Sequence, residues 1–274
     1  MDIFDFYEGK LPLLISIPHC GLHVPDDIKA RMTEKALELS DTDWHLPELL
    51  RFARDMGASV LAANYSRYVI DLNRPPDDVP LYKGATTGLV SPITFDGEPL
   101  YMEGEEPDGA EKELRREKYW QPYHDKLATE IEKHVARHGA VVVFEAHSIR
   151  SVIPRLFEGV LPDLNFGTNS GESADAALLD QLVARAEDET DYTIAANGRF
   201  KGGYITRHYG NPAKGVQTVQ LEMAQVNYMR EEMPFDLISE RADRLASLLK
   251  GLCADMIAYG EKLAAASPAR QAHR

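Results

Sequence analysis

The sequence predicts an α/β fold: a single domain with a mixed, mostly parallel central sheet flanked by helices. Short apolar runs alternate along the chain with longer amphipathic segments, as strands alternate with helices. Two runs, at 13–17 and 141–146, are almost continuously apolar, as expected of strands buried on both faces. Each leads directly into a histidine, His19 or His147. Because open sheets bind ligands beyond the carboxyl ends of their strands, these histidines predict a site at that edge.

The remaining elements follow from the same patterns. We predict strands at Pro12–Pro18, Ser59–Ala63, Tyr68–Leu72, Ala140–Ala146, Tyr192–Ala196, Tyr204–Thr206 and Val216–Glu222. Apolar residues at three- and four-residue spacing predict helices at Trp44–Met56, Ala110–His138, Ala174–Ala186 and Arg230–Ala264. Strands that alternate with helices favour a largely parallel sheet, in which some members can be antiparallel.

Two polar segments, Pro75–Gly109 and Asn165–Ser173, interrupt this pattern. The first is rich in Pro, Gly, Asp and Glu, and it has little periodicity. A structureless stretch of this length is typically a functional lid or a binding loop, and the alternative is an exposed insertion. The sequence shows no internal repeat and no linker, so we expect residues 1–274 to form one domain whose tail, 265–274, is frayed.

Composition excludes several classes of function. The chain has 274 residues, a formal net charge of −14, 44% hydrophobic residues and 27% charged residues. The negative charge argues against a nucleic-acid binder, which needs a basic surface. Only Cys20 and Cys253 are present, which favours a reducing, cytoplasmic location over a disulfide framework. No apolar stretch approaches the roughly 20 residues of a membrane helix, so we expect no membrane partner.

The two histidines suggest a metal site, because neutral imidazole is the commonest side-chain metal ligand. Asp41 and Asp43 lie at the start of a predicted helix, where acidic residues often cap the helix. We interpret Asp41 as such a cap and Asp43 as the better candidate ligand, with Asp41 as the fallback. Two histidines, one carboxylate and an open position make the donor set of a catalytic zinc site. The alternative is that each histidine is simply a hydrogen-bonded polar residue.

Arginines and a late glutamate complete the candidate site. Arg67 and Arg74 flank a predicted strand, and arginine binds carboxylates through a bidentate fork. They indicate an anion pocket, and the alternative is a salt bridge with Asp71 or Asp77. Glu222 ends a predicted strand, where it could act as a general base beside a metal-activated water or lie exposed.

Six segments together resemble the N-formylglutamate amidohydrolase (N-formylglutamate deformylase) family. They are Ser16-Ile17-Pro18-His19-Cys20-Gly21, Asp41-Thr42-Asp43-Trp44, Ser66-Arg67-Tyr68-Val69-Ile70-Asp71-Leu72-Asn73-Arg74, Glu145-Ala146-His147-Ser148, Gly202-Gly203-Tyr204 and Gln220-Leu221-Glu222. The Asp-Leu-Asn-Arg and Pro-His-x-Gly pieces are the most specific. The resemblance implies a fold similar to that of zinc carboxypeptidases and aspartoacylases (phosphorylase/hydrolase-like), with one zinc ion, or another divalent metal, at the strand ends.

The resemblance also implies roles for individual residues. His19 and His147 match the histidine ligands, and Glu222 resembles the glutamate that activates water. Arg67 resembles the arginine that polarises the scissile carbonyl. Asn73 and Arg74 look like the pair that binds the substrate's α-carboxylate.

One departure from the carboxypeptidase pattern concerns the carboxylate ligand. That pattern is His-x-x-Glu, which would place an acid at Leu22. The third ligand must therefore come from elsewhere in this sequence, and Asp43 is the candidate that we prefer.

The implied activity is metal-dependent hydrolysis of the amide of an N-acylated acidic amino acid. The expected reaction converts N-formyl-L-glutamate and water to formate and L-glutamate, a step of histidine degradation. Arg207 could bind the substrate's side-chain carboxylate, and Ser148 is a further candidate for substrate binding. We expect a small-molecule substrate, and the sequence leaves the oligomeric state open.

Three alternatives remain at this stage. The protein could be a related zinc-dependent deacylase or carboxypeptidase-like amidohydrolase that acts on another N-acyl amino acid. It could also be a relative that binds a metal or an amino acid without catalysis. A Cys20 nucleophile beside His19 is a third hypothesis, although adjacent side chains rarely point at one another.

Overall fold

A computed structural model describes residues 1–81 and 86–266, which form a seven-stranded sheet with helices on both faces. The strands are β1 (Phe4–Tyr7), β2 (Leu13–Ile17), β3 (Ser59–Ala63), β4 (Val141–Ile149), β5 (Leu164–Gly167), β6 (Ile194–Ala196) and β7 (Val216–Ala224). Across the sheet they lie in the order β1-β3-β2-β4-β7-β5-β6. The pairs within β3-β2-β4-β7 are parallel, as is β5-β6, whereas β1 and β5 run antiparallel to β3 and β7. The predicted fold class, a mixed and mostly parallel sheet flanked by helices, is confirmed.

Helices connect most of these strands. The α-helices are α1 (Asp26–Lys29), α2 (Leu46–Leu49), α3 (Phe52–Asp55), α4 (Gly109–Arg115), α5 (Gln121–His138), α6 (Ala176–Glu189), α7 (Tyr204–Tyr209) and α8 (Ser239–Ala266). A π-helical turn, Arg116–Trp120, joins α4 to α5. Short 3₁₀ turns lie at Ala36–Glu38, Asn169–Gly171, Pro212–Lys214 and Gln225–Asn227. Within the described residues, no helix is both long and apolar enough to cross a membrane.

The sheet separates two apolar cores. On one face, α2, α3, α6 and α8 pack against the side chains of Phe144 and Leu221. On the other face, α5 and the segment 68–101 pack against Val143 and Val216. Because side chains alternate along a strand, the odd-numbered positions of β4 and the even-numbered positions of β7 share this second face. The polar ends of β4 and β7 therefore point to the side covered by α5 and α7.

Two predicted strands are wrong. Tyr68–Leu72 is buried but does not pair as a strand. Val69 N donates to Ser66 O in a turn, and Asp71 N donates to Leu89 O in a distant segment. The apolar run of Tyr68–Leu72 is covered by tertiary packing instead of by strand pairing. Tyr204–Thr206 forms α7, because Asn73 accepts the first amide groups of a helix through both its backbone and its side-chain oxygen.

Two short strands were not predicted, β1 and β5. β5 overlaps the start of the predicted loop Asn165–Ser173, and a strand of four residues is too short to show a period. Asn165 is buried in it, and its Nδ2 donates to Pro162 O and Glu222 O. A buried asparagine with two backbone partners gives no strand signal in the sequence.

Helix boundaries also differ from the prediction. Trp44–Met56 divides into α2 and α3, and the long π-containing helix α4–α5 begins at Gly109, close to its predicted start. α8 begins at Ser239, because Arg230–Ile238 makes turns in which Arg230 N donates to Asp236 O. At its other end α8 includes residues 265 and 266, which were predicted to be frayed. The rest of the predicted tail lies outside the described residues.

Candidate active site

Three predicted metal ligands meet at the carboxyl end of the sheet. His19 follows β2, His147 lies near the end of β4, and Asp43 is held between them by the hydrogen bond from its backbone N to His19 O. Each offers one ligand atom, and these atoms all lie within 4.8 Å of one another. All three residues are buried. The parallel order β2-β4 therefore gathers residues that are 24 and 104 positions apart in sequence.

The two imidazoles are oriented in the same way by buried carboxylates. His19 Nε2 lies 2.6 Å from Asp71 Oδ1, and His147 Nε2 lies 2.7 Å from Glu145 Oε1. A carboxylate oxygen only accepts, so we assign Nε2 as the protonated nitrogen of each neutral ring. The Nδ1 atoms then carry the lone pairs, and both face Asp43, at 3.9 Å from His19 and 3.0 Å from His147.

The donor set fits a divalent metal. His19 Nδ1 and Asp43 Oδ1 are buried and have no hydrogen-bond partner among the described residues. In the neutral tautomer, the His147 Nδ1 lone pair also faces an Asp43 oxygen. That contact is favourable only if a cation, either a proton or a metal, lies between the two atoms. Histidines held by carboxylates on the opposite nitrogen are the usual arrangement around a protein-bound metal.

Burial and the neighbouring charged groups shift the pKa values of the residues in this cluster. Burial lowers the pKa of His19, and the Arg67 guanidinium lowers it further, against the effect of Asp71. Burial would also lower the pKa of His147, but the hydrogen bonds that its ring donates to the Asp43 and Glu145 carboxylates outweigh burial and raise that pKa well above its ordinary value. Burial would raise the pKa of Asp71, yet the adjacent His19 and Arg67 hold it well below the usual range.

Glu222 lies next to the metal-ligand group. It is the register partner of His147 across β4 and β7, so the two side chains point to the same face. Burial raises the pKa of Glu222 to about 8, against the opposing effect of His147 and Arg67. A carboxyl group with a pKa near the working pH can both accept and return a proton.

Arg67 reaches the same group from the turn that precedes Asp71. Its Nη2 lies 2.7 Å from Asp71 Oδ2, its Nη1 lies 3.7 Å from Asp43 Oδ1, and its guanidinium stacks 4.6 Å from the Phe95 ring centre. The ion pair with Asp71, which the sequence offers as the alternative to an anion pocket, is therefore present. The pair is buried, and its Arg67 lines the pocket.

A cavity of about 610 Å³, including its mouth, opens over these residues. Its polar floor contains His19, His147 and Glu222. Among the described residues, the positively charged side chains that line it are Arg67, Arg74 and Arg199. Its apolar wall is formed by Phe95, Ile149, Leu156 and Phe200. This combination of a polar floor, a cationic rim and an apolar wall fits a small anionic ligand that has an aliphatic part.

The predicted lid segment Pro75–Gly109 contributes to this cavity. Thr86, Thr87 and Phe95 line it, and residues 82–85 lie outside the described part of the chain. Phe95 N donates to Asp41 Oδ2 at 2.7 Å, which ties the segment to the metal-ligand loop. Among its described residues, these three line the cavity, whereas residues 77–80 and 102–106 are exposed. Movement of this segment stays a prediction.

Asn73 and Arg74 also line the cavity. Asn73 Oδ1 accepts from Ile205 N at 2.9 Å, and its Nδ2 lies 3.0 Å from His147 Nε2. Arg74 donates from Nε to Thr87 O at 2.8 Å. The bonds with Ile205 and Thr87 hold both side chains at the cavity, where the sequence predicts a binding pair for a carboxylate.

Besides Asp43, four predicted or alternative residues lie outside this cavity lining. Ser148 points to the opposite face of β4, where Tyr228 Oη donates to its Oγ, and it serves the site through its backbone N, which donates to Asp43 Oδ2. Arg207, which lies on α7, donates from Nε to Gly202 O, in the loop before that helix. Asp41 accepts from Phe95 instead of joining the group of ligands. Cys20 donates to Ile17 O and Ala63 O, and burial raises its pKa, so the thiol is not arranged as a nucleophile.

Comparison with known proteins places this site in a described family. The sequence profile of the N-formylglutamate amidohydrolase family matches residues 11–229, which include all three candidate ligands and Glu222. The chain belongs to this family. The N-formylglutamate deformylase of Pseudomonas putida is 50% identical over 258 residues, which are 94% of this chain and 97% of that protein. The N-formylglutamate deformylase of Pseudomonas aeruginosa is 47% identical over 261 residues, 95% of this chain and 98% of that protein.

Solved structures support the same assignment. The crystal structure of an N-formylglutamate amidohydrolase from Ralstonia eutropha JMP134 superposes with a TM-score of 0.79 at 25% identity and covers 96% of this chain and 99% of that one. The gene product Atu2144 from Agrobacterium tumefaciens shares the fold, with a TM-score of 0.71 at 20% identity over 94% of this chain and 96% of that one. The predicted membership of the family is therefore confirmed.

Sequence reasoning missed several residues of this family member's site. Asp71 and Glu145, which orient the imidazoles, had no assigned role, and neither did Arg199. The signal for Glu145 was available: it lies two residues before His147 on the same strand, and therefore on the same face. For Asp71 and Arg199 the sequence offers no such signal, because their places depend on turns and loops.

Proposed function

We propose that this protein hydrolyses N-formyl-L-glutamate to formate and L-glutamate, with one zinc ion held by His19, Asp43 and His147. The observation that carries the proposal is that these three residues meet beside one cavity. Two of them, His19 and His147, line that cavity together with Glu222 and three arginines. The names of the Pseudomonas relatives support the substrate. When bound, zinc would polarise the formyl carbonyl and activate water for attack.

The other groups of the site would move protons and hold the substrate. Glu222 accepts a proton from the attacking water and then delivers it to the nitrogen of the leaving amine. The Arg67 guanidinium stabilises the negative charge that develops on the formyl oxygen. Asp71 and the Phe95 ring hold this guanidinium in place, so it needs little reorganisation as the charge forms.

The α-carboxylate of the substrate binds at Asn73 and Arg74. Because His147 Nε2 carries a proton directed at Glu145, it cannot accept from Asn73 Nδ2, and the Asn73 N–H groups remain for a substrate oxygen. The Arg74 guanidinium is oriented by Thr87, whose backbone and hydroxyl oxygens accept from it at 2.8 and 3.3 Å. Phe95 and Ile149 limit water access to the reacting amide.

The test is the release of formate by the purified protein. We expect release from N-formyl-L-glutamate, loss of release after removal of metal by a chelator, and recovery on addition of zinc. Glu222→Gln should lower kcat by about 10²- to 10⁴-fold, the range for loss of a general acid or base. Full activity of the metal-free protein would disprove the metal-dependent mechanism.

A substrate panel separates the proposal from a related deacylase. N-formyl, N-acetyl and N-carbamoyl forms of glutamate, aspartate and histidine should be compared by kcat/KM. We expect N-formyl-L-glutamate to give the highest value. A higher value for another acyl group would assign the protein to a different amidohydrolase activity, and zinc binding without turnover of any substrate would favour a non-catalytic relative.

A further inference from the structure

The cavity contains one described arginine that the proposed reaction has not used. Arg67 is paired with Asp71 beside the metal-ligand group, and Arg74 is placed for the α-carboxylate. Arg199 lines the same cavity from the loop between β6 and α7. N-formylglutamate carries a second carboxylate, on its side chain, and that anion requires a cationic partner of its own.

The surroundings of Arg199 suit such a role. Its Nε donates to Leu156 O at 3.1 Å, and its guanidinium carbon lies 5.5 Å from the Phe200 ring centre. Phe200 is itself braced edge-on against Phe157, with ring centres 6.3 Å apart. These contacts set the guanidinium beside the apolar wall, at the exposed mouth of the cavity.

The cavity lining offers a partner for each group of the substrate. His19, His147 and Glu222 are the lining residues beside which the formyl amide would react. Ile149, Leu156 and Phe200 provide an apolar surface for the two methylene groups of a glutamate side chain. Arg199 adjoins that apolar surface, whereas Arg207 donates to Gly202 O and is not among the described residues that line the cavity.

We propose that Arg199 binds the side-chain carboxylate of the substrate and sets the preference for N-formylglutamate over its uncharged analogue N-formylglutamine. This inference rests on the proposed function, because it assigns a role within the same site. A guanidinium can bind a carboxylate through two parallel hydrogen bonds, which an amide cannot reproduce. The residue is therefore a specificity determinant and takes no part in proton transfer.

The experiment compares two substrates in four proteins: the native enzyme, Arg199→Gln, Arg199→Lys and Arg207→Gln. For Arg199→Gln we expect kcat/KM for N-formyl-L-glutamate to fall by about 10- to 100-fold, from the loss of hydrogen bonds to a charged group, mostly through KM. Turnover of N-formyl-L-glutamine should change by less than about threefold, since no charged partner is lost. Arg199→Lys should recover part of the loss, because it restores the charge without the fork.

Two results would overturn the inference. One is an unchanged ratio of kcat/KM for the two substrates in Arg199→Gln. The other is a collapse of that ratio in Arg207→Gln alone, which would return the role to Arg207. Absence of formate release by the native enzyme would count against the proposed function instead.

A binding measurement tests the inference even if the native enzyme releases no formate. Calorimetry of the zinc-loaded native protein and of Arg199→Gln should show that L-glutamate, but not L-glutamine, loses affinity in the variant. Equal loss for both amino acids would contradict the proposed contact. Because Arg199 is exposed, both proteins should have the same melting temperature, which controls for misfolding.

Discussion

At the scale of single residues, the carboxylates behind the two histidines decide what the site can bind. Glu145 is fully buried between His147 and Thr206, whose hydroxyl donates to its second oxygen. Burial of a carboxylate is costly unless its oxygens are hydrogen-bonded, and here both have partners. The Glu145 carboxylate is therefore held beside His147. It keeps the imidazole proton on Nε2 and leaves Nδ1 for the candidate metal.

Glu145→Gln tests this role. The amide keeps the size of the side chain and can still accept from His147, but the negative charge behind the imidazole is lost. We expect zinc affinity to fall by about 10- to 100-fold, the usual cost of losing such a partner, as measured by competition with a fluorescent chelator. Glu130→Gln is the matched control, since Glu130 is also a buried glutamate but pairs with Lys126 and Lys133, away from the site. Equal zinc affinity in both variants would show that Glu145 does not tune the metal.

The sequence predicts the candidate metal ligands better than it predicts the residues that hold those ligands in place. His19 and His147 could be recognised because each follows a continuous apolar strand, and the sheet brings such strand ends together. Asp71 could be seen only as a possible salt-bridge partner of the arginines, since its contact with His19 depends on a turn that the sequence does not distinguish from a strand. The position of Asp43 between the histidines likewise depends on its backbone bond to His19 O.

At the scale of elements, the helix α4–α5 supports the loop that carries Asn73 and Arg74. Trp120, in the π turn, donates from Nε1 to Arg74 O at 3.0 Å. His124, one turn later, lies 2.8 Å from Leu72 O through Nε2. The two rings stack with their centres 3.7 Å apart, so one aromatic pair fixes the backbone on both sides of Asn73. π turns are often found at functional sites, and here the turn places Trp120 against the binding loop.

The buried imidazole of His124 makes the stability of the protein depend on pH. The carbonyl of Leu72 can only accept, so Nε2 carries the proton, and Nδ1 accepts from Tyr209 Oη at 2.9 Å. Burial lowers the pKa of His124 from 6.5 to about 3, against the effect of its bond to Leu72 O. Between these two values the unfolded chain binds a proton that the folded chain excludes. The contribution of neutral His124 to stability is therefore complete above pH 6.5 and is lost as the pH falls towards 3.

We expect this group alone to remove about 2 kcal/mol from the free energy of unfolding between pH 8 and pH 5. His124→Gln keeps a donor for Leu72 O but cannot titrate. The variant should be less stable than the native protein at pH 8, because ring stacking is lost, and should lose less stability on acidification. Urea unfolding at several pH values measures both effects. An identical loss of stability on acidification in the two proteins would contradict the assigned pKa.

The elements that sequence reasoning assigned wrongly adjoin this same loop. Tyr204–Thr206 has the β-branched and aromatic composition of a strand, yet it is helical because Asn73 caps it from a distant part of the chain. Gly203 permits this contact, since a Cβ there would lie 2.3 Å from Asn73 Nδ2. Local propensity therefore fails where a functional loop imposes the structure, whereas β3, which has no such partner, is predicted correctly at both ends.

At the scale of the whole molecule, the candidate metal would join three separate parts of the chain. His19 lies beyond β2, His147 lies on β4, and Asp43 lies in the segment before α2. The unfolded chain does not hold these residues together, so a metal that binds all three binds the native state preferentially. Such binding stabilises the fold by about 2.7 kcal/mol when free metal exceeds Kd a hundredfold.

Zinc should therefore raise the melting temperature of the metal-free protein by about 5–10 °C, given the usual dependence of melting temperature on stability in proteins of this size. The matched variants Asp43→Asn and Asp41→Asn decide which carboxylate is the ligand. Both side chains are buried, but Asp43 faces the two Nδ1 atoms and Asp41 accepts from Phe95. We expect Asp43→Asn to abolish most of the zinc-dependent shift. Asp41→Asn should melt at a lower temperature yet keep the shift, and calorimetry that showed the reverse pattern would make Asp41 the ligand.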